Sequence, residues 1–222
     1  MLRLDLHTHS RYSPDSSLDV KEMLTTAVAR GIHGISITDH NTLRGSVRAL
    51  ELGRDTSLIV VRGMEVSARD GHILGYGLEE DVPSGLTAGE TVDRIVDQGG
   101  FAVAAHPYRF WSGLGEDVIR VTPFQALEVL NSRSVASHNQ RVERLAQELG
   151  LPATGGSDAH RLSDLGRALV LVPEGIESEE EVLLALQKGL GRTAGTSRGS
   201  ARTARYVAKS VREWVVRGFK RI

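Results

Sequence analysis

Short apolar segments that read as strands alternate with segments of helical spacing along most of the chain. Residues 2–6 form the first apolar segment, and residues 18–30 follow with apolar side chains at helical spacing. The same order recurs through the apolar strand at residues 169–172, interrupted only near Asp70-Gly71, where two strands flank a hairpin turn. Such alternation is typical of parallel strands covered by helices, so we expect an α/β protein.

The first strand is not followed by a glycine-rich nucleotide loop, which favours a small barrel over an open, doubly wound sheet. We expect one barrel domain over residues 1–191, and a separate basic segment over residues 192–222. That segment holds nine Lys and Arg residues and one acid, Glu213, although the whole chain has a formal net charge of −1. An acidic body with a basic tail suggests cation binding in the body and an anionic partner for the tail.

The chain has no cysteine, which excludes disulfides and thiolate zinc sites. Met1 runs directly into the first strand, and neither a signal-like segment nor a long apolar span is present. We therefore expect a cytoplasmic protein with no membrane insertion. Oligomeric state is not readable from the sequence.

The hexapeptide D-L-H-T-H-S at residues 5–10 ends the first strand. Side chains alternate between the faces of a strand, so Asp5, His7 and His9 share one face. Two imidazoles at this spacing can hold one metal ion, with the carboxylate of Asp5 behind them. Alone, the pair is weak support for a metal site.

Further ionisable residues lie at the ends of the other predicted strands. With the first pair, the set is His7, His9, His40, Glu65, His106, Asp158 and His160. The C-terminal ends of barrel strands converge on one mouth, where active sites are usual. Imidazole and carboxylate donors together suit zinc, manganese or iron(II). The pattern therefore predicts a site for several divalent metal ions.

Five motifs follow one another along the chain: D-L-H-T-H-S, T-D-H-N-T, G-M-E-V-S, A-H-P and G-S-D-A-H. In this order and spacing they resemble the PHP (polymerase and histidinol phosphatase) family of metallophosphoesterases over residues 2–172. The resemblance implies a distorted (β/α)7 barrel that holds two or three divalent ions, commonly manganese, iron or zinc, at the C-terminal ends of its strands.

The resemblance also implies roles for single residues. His7, His9, Glu65 and Asp158 match the ligands of a first ion, Glu65 bridges to a second ion held also by His106 and His138, and Asp15, His40 and His160 form a third set. Some relatives have histidine at the position of Asp15, which alters metal preference more than it threatens the site. Relatives often have an acid where this chain has Asn41, so Asn41 receives no acid role.

Three more residues near the predicted mouth are candidates for contact with substrate. His72, beside the hairpin turn, is a ligand, a proton donor to the leaving group or merely a rim residue. Arg109 and Arg133 follow His106 and Glu128 and could fork onto a phosphate, although a structural ion pair is equally compatible with either position.

The function expected is hydrolysis of a phosphate ester by metal-activated water. A nucleotide or oligonucleotide substrate is favoured, with exonuclease or endonuclease action left open, and a small phosphomonoester such as histidinol phosphate is the alternative. A non-catalytic PHP module, used for structure or partner binding, requires lost ligands, and none of the nine is missing. A related amidohydrolase needs a carboxylated lysine, for which no strand end offers a candidate.

The basic segment has apolar residues at helical spacing: Val207, Val211, Trp214, Val215 and Phe219. The pattern predicts an amphipathic helix packed on the barrel with a solvated basic face. Contact with the backbone of a single-stranded nucleic acid is the main alternative, and binding to a membrane surface is the weaker one.

Overall fold

The computed structural model describes residues 1–197 and Gly199. Within them, the strands are β1 (Leu2–Asp5), β2 (Gly34–Ile35), β3 (Ile59–Val60), β4 (Gly63–Ser67), β5 (His72–Tyr76), β6 (Phe101–Ala104), β7 (Ala126–Asn131), β8 (Ala153–Gly156), β9 (Ala168–Val172) and β10 (Arg192–Gly195). The helices are α1 (Val20–Ala29), α2 (Arg44–Gly53), α3 (Ala88–Val96), α4 (Glu116–Val121), α5 (Ala136–Leu149) and α6 (Glu179–Gln187), with a 3-10 turn at Leu162–Asp164. The predicted alternation of strand and helix is confirmed.

The strands form two five-stranded sheets, with the orders β10-β9-β1-β2-β3 and β4-β5-β6-β7-β8. Strands β1, β2 and β3 are parallel to one another, as are β6, β7 and β8. Two isolated parallel bridges link the sheets, one between Thr8 and Ala159 and one between His40 and Glu65. The first bridge lies beyond the ends of β1 and β8, and the second joins a residue that follows β2 to a residue within β4.

The expected (β/α)7 barrel is not found as a closed barrel in the described part of the chain, although the mixed α/β class is confirmed. Strand β5 is antiparallel to β4 and β6, and β9 is antiparallel to β1 and β10. The chain between β4 and β5 is too short for a crossover and forms the predicted hairpin, which reverses β5. Where the two sheets meet, the described residues form single bridges instead of continuous ladders.

Helix ends follow their sequence signals. Thr87 and Glu90 form the predicted capping box of α3, with each side chain accepting from the other's backbone N–H. Helix α5 ends at Gly150, whose φ of 66° lies in the left-handed region that glycine tolerates. These caps fix the helices that cover the sheets.

Close packing brings β8 against the residues that follow β1. A Cβ atom on Gly156 would lie 2.6 Å from the backbone nitrogen of His7, so only glycine permits this approach. The next residues are joined by backbone hydrogen bonds, from Asp158 N to His7 O at 2.6 Å and from His9 N to Ala159 O at 3.0 Å. The motifs D-L-H-T-H-S and G-S-D-A-H are thereby held side by side.

Residues beyond the predicted body divide into two parts. Residues 192–195, which the charge pattern assigned to the basic segment, form β10 and pair with β9. The predicted amphipathic helix, from Val207 to Phe219, lies outside the described residues. Among the described helices, none is long and apolar enough to cross a membrane. The expected cytoplasmic location stays a prediction.

Candidate metal centre

The residues that follow β1 place two imidazoles at the centre of the site. His7 and His9 are fully buried, and their Nε2 atoms lie 3.1 Å apart. Neighbouring carboxylates surround them, because His9 Nε2 lies 3.3 Å from Glu65 Oε2 and 3.5 Å from Asp158 Oδ1. Burial lowers the pKa of His9, but these carboxylates outweigh it and raise the pKa to about 9.

Glu65, in β4, is the acid around which the imidazoles gather. Its Oε1 shares hydrogen bonds with His106 Nε2 at 2.8 Å and His72 Nδ1 at 2.9 Å. Its Oε2 lies within 3.4 Å of a ring nitrogen of each of three further histidines, His7, His9 and His40. Burial raises the pKa of this carboxyl, but positive charge on His72, His40 and His7 lowers it well below the ordinary value. Glu65 can therefore serve as a shared carboxylate ligand.

Asp158, after β8, connects the cluster to two guanidinium groups. Its Oδ2 accepts from Arg109 Nη2 at 2.6 Å, and its Oδ1 accepts from Arg133 Nη1 at 3.0 Å. Burial raises the pKa of this carboxyl, but the two arginines and His7 lower it well below its usual range. The carboxylate is therefore ionised and available as an oxygen donor.

A third group lies nearer the surface. Asp15 Oδ2 is 2.6 Å from His160 Nε2 and 3.6 Å from His40 Nε2. Burial raises the pKa of Asp15, but its hydrogen bond with His160 and its contact with His40 lower it far below the ordinary value. Burial, together with charge on His9 and Arg133, lowers the pKa of His160 to about 4. A neutral imidazole and an ionised carboxylate are the forms that bind metal ions.

The donor set fits divalent metal ions. Within the described residues, four groups have ligand atoms within 4.8 Å of one another: His7-Glu65-His106, His7-His9-Asp158, His9-His40-Glu65 and His9-Asp15-His160. The groups share members, so the donors form one continuous cluster. The buried Nδ1 atoms of His40 and His106 have no hydrogen-bond partner in the structure, although buried ring nitrogens are normally satisfied. Mixed nitrogen and oxygen donors of this kind suit zinc, manganese or iron.

His138 is the predicted ligand that does not join these groups. It lies in the first turn of α5 and is partly exposed. Burial and the positive charges of Arg109 and Arg141 lower the pKa of His138. The imidazole therefore lies near these two arginines at the edge of the site. The sequence motif alone does not fix the direction of a side chain at a helix start.

The candidates for substrate contact border the cluster. His72 shares its hydrogen bond with Glu65, and its side chain is 14% exposed. Arg109 also donates to Asn131 Oδ1 at 2.7 Å, and Arg133 Nη1 lies 2.7 Å from His160 Nδ1. Both arginines form an ion pair, which was the alternative to phosphate contact, and their partner Asp158 is a member of the cluster itself.

Two residues were not identified as site residues from the sequence. Glu128, in β7, is buried, and its Oε1 lies 2.8 Å from His7 Nδ1. Its Oε2 accepts from the backbone N–H of His106 at 2.8 Å, and Asn131 Nδ2 donates to the same carboxylate at 3.1 Å. The available signal was an acid inside an otherwise apolar strand, since carboxylates are rarely buried without a partner.

Backbone conformation also marks the site. Among non-glycine residues of the described chain, Asn41, His106 and Asp158 have positive φ values, of 58°, 28° and 53°. All three follow strands that end at the cluster. Such conformations are costly and persist where the surroundings hold them, which is common at functional sites.

Comparison with known proteins identifies relatives over most of the chain. A PHP-associated family model (PHP_C) matches residues 136–190. The uncharacterized protein MJ1587 of Methanocaldococcus jannaschii is 35% identical over 161 residues, which cover 67% of this chain and 94% of that protein. The 3′,5′-nucleoside bisphosphate phosphatase of Chromobacterium violaceum is 34% identical over 93 residues, covering 40% of this chain and 32% of that enzyme.

A solved structure shares the fold. The lesion-specific endonuclease PfuEndoQ from Pyrococcus furiosus superposes with a TM-score of 0.68 at 18% identity, covering 87% of this chain and 58% of that protein. At this identity the likeness concerns the arrangement of strands and helices.

Proposed function

Because the chain belongs to the PHP family of metal-dependent phosphoesterases, we propose that it hydrolyses the phosphate ester of a nucleotide or an oligonucleotide. The observation that carries the proposal is the shared position of Glu65, which contacts five imidazoles in one buried cluster beside two arginines. A structural ion pair needs only one such partner.

The proposed ligand sets follow the family resemblance and agree in part with the four groups. His7, His9, Glu65 and Asp158 would hold a first ion, Glu65, His106 and His138 a second, and Asp15, His40 and His160 a third. Divalent manganese, iron or zinc, when bound there, would activate water and neutralise charge on the phosphoryl group. All these predicted ligands except His138 occur in the observed groups.

Arg109 and Arg133 would hold the phosphate. A guanidinium presents its N–H donors as a planar fork that matches phosphate oxygens. Their side chains are 13% and 24% exposed, so both can be reached from solvent while they remain on Asp158. Their contact with a member of the cluster would fix the phosphate relative to the reacting centre.

His72 would donate a proton to the leaving group. Its Nδ1 is engaged by Glu65, so Nε2 is the ring nitrogen that remains for a substrate oxygen. The partly exposed position at the hairpin is compatible with this role.

A nucleotide is favoured over other phosphate esters for two reasons. One relative acts on nucleoside bisphosphates, although the match spans about a third of that enzyme. The basic residues 192–222 would bind a nucleic-acid backbone, and we propose that they form a segment functionally distinct from the catalytic residues 1–191. A histidinol-phosphate type of substrate and a non-catalytic role are the other outcomes of the test.

The test is hydrolysis by protein stripped of metal and then supplied with manganese, iron(II) or zinc. The substrates are AMP, short oligonucleotides, histidinol phosphate and p-nitrophenyl phosphate. We expect metal-dependent release of phosphate, with AMP or oligonucleotides preferred. A preference for histidinol phosphate would replace the substrate class, and no hydrolysis with any metal would reject the catalytic proposal.

A further inference from the structure

Phe110 has an unusual position for an aromatic side chain. It is 82% exposed, and the other aromatic side chains of residues 1–197 are buried or partly buried. Its ring meets that of Trp111 at an angle of 85°, with centroids 4.6 Å apart. The preceding residue is Arg109, whose guanidinium reaches Asp158 in the cluster. The aromatic pair therefore directly follows Arg109, the residue proposed to contact the phosphate.

Backbone hydrogen bonds tie down the loop that carries the pair. Gly113 N donates to Arg109 O at 2.8 Å, and the backbone of Ser112 accepts from His72 N at 2.9 Å. A Cβ atom on Gly113 would lie 2.7 Å from the nitrogen of Arg109, so the loop is folded tightly on itself. An ordered loop backbone lowers the cost of ordering the loop when a ligand binds.

We infer that Phe110, with the Trp111 ring nearly perpendicular beside it, forms a stacking platform for the base of a nucleotide whose phosphate contacts Arg109. Aromatic faces stack on nucleobases with little sequence preference. Phe110 directly follows Arg109 in the chain, so the platform lies beside the residue proposed to hold the phosphate. The inference rests on the proposed function and specifies which part of the substrate is recognised.

Physical reasons favour a base over a general apolar contact. Burial within the chain does not explain Phe110, because most of its surface is open to solvent. Its position beside a guanidinium suits a ligand with an anionic group and a planar ring. A sugar phosphate without a base can contact the guanidinium of Arg109, but it has no planar ring to stack on Phe110.

The first test compares substrates that differ in the base. For Phe110→Leu, we expect the ratio of kcat/KM for AMP to that for β-glycerophosphate to fall about tenfold. Phe110→Tyr should restore the ratio because it keeps the ring. Val121→Ala removes a similarly exposed apolar side chain (83%) in α4 and should leave the ratio unchanged. An unchanged ratio in Phe110→Leu, or an equal fall in Val121→Ala, would overturn the inference.

The second test is independent of turnover. Trp214→Phe leaves Trp111 as the single tryptophan of the two in the chain. We expect AMP to quench its fluorescence more strongly than ribose 5-phosphate, and a 5′-phosphorylated trinucleotide added separately shows whether a chain end also binds. Equal quenching by AMP and ribose 5-phosphate would refute the platform. If the protein hydrolyses none of the substrates but AMP still quenches more strongly than ribose 5-phosphate, the proposed function is rejected and the platform is retained.

Discussion

Glu128→Gln is predicted to weaken metal binding although Glu128 is not among the proposed ligands. One carboxylate oxygen lies 2.8 Å from His7 Nδ1, and the other accepts from the backbone N–H of His106 at 2.8 Å. This arrangement holds the proton on His7 Nδ1 and leaves Nε2, which faces the cluster, as the donor to a metal ion. Glu128 is therefore a positioning residue.

Glutamine cannot reproduce both contacts. If its NH₂ group faces His7, the imidazole must accept at Nδ1 and carry its proton on Nε2, in the middle of the cluster. If the NH₂ group faces His106, two donors oppose each other. Loss of such a partner typically costs 10- to 100-fold in metal affinity, or about 1.4–2.7 kcal/mol.

The assay is calorimetric titration of metal-free protein with manganese. Glu179→Gln is the matched control, since Glu179 also accepts two N–H groups, both from Arg62, but contacts none of the cluster. We expect Glu128→Gln alone to raise the dissociation constant. An unchanged constant in a folded Glu128→Gln protein would refute the positioning argument.

Three further predictions concern other parts of the molecule. Two guanidinium groups and a tyrosine hydroxyl lower the pKa of Glu116 to about 2, so its ionised form stabilises the fold above pH 4.5, and that stability is lost as the pH falls toward 2. Glu116→Gln should therefore lower stability to urea at pH 7 but change it little at pH 2. Asp15→Asn should lower metal content by about one ion and activity at least about tenfold, as shown by elemental analysis and kinetics. Replacing Arg205, Lys209 and Arg212 with glutamine should weaken oligonucleotide binding and make its salt dependence shallower.

Each of these has a contradicting result. An equal urea shift at pH 7 and pH 2 would show that the charge of Glu116 is irrelevant. Unchanged metal content in Asp15→Asn would make that carboxylate a bystander. An unchanged salt dependence in the triple variant would leave the basic segment as a structural cover.

The sequence predicted which ionisable residues come together better than it predicted the shape of the fold. Glu65 and Asp158 were both expected at strand ends. Asp158 does follow β8, whereas Glu65 lies within β4, and the structure brings both into the cluster. His138 was placed by resemblance alone, and a helix start gives no comparable constraint. Glu128 was missed because its role depends on β7 lying beside the end of β1, which no local pattern records.

The fold departs from the expected barrel for a similar reason. Periodicity indicates strands, but it does not give their direction or pairing. The reversal of β9, which pairs with β1 in the opposite direction, follows from long-range packing. The reversal of β5 was foreseen, because a hairpin turn is a local signal.

We propose that Glu65 would be a shared ligand of at least two metal ions in the cluster. Metal content and phosphate release of Glu65→Gln, each measured beside the unmodified protein, test it most directly. An amide is a poor bridging ligand, so we predict loss of bound metal and at least about a hundredfold loss in rate, roughly 2.7 kcal/mol of transition-state stabilisation. A Glu65→Gln protein that keeps its metal ions and near-normal turnover would contradict the claim.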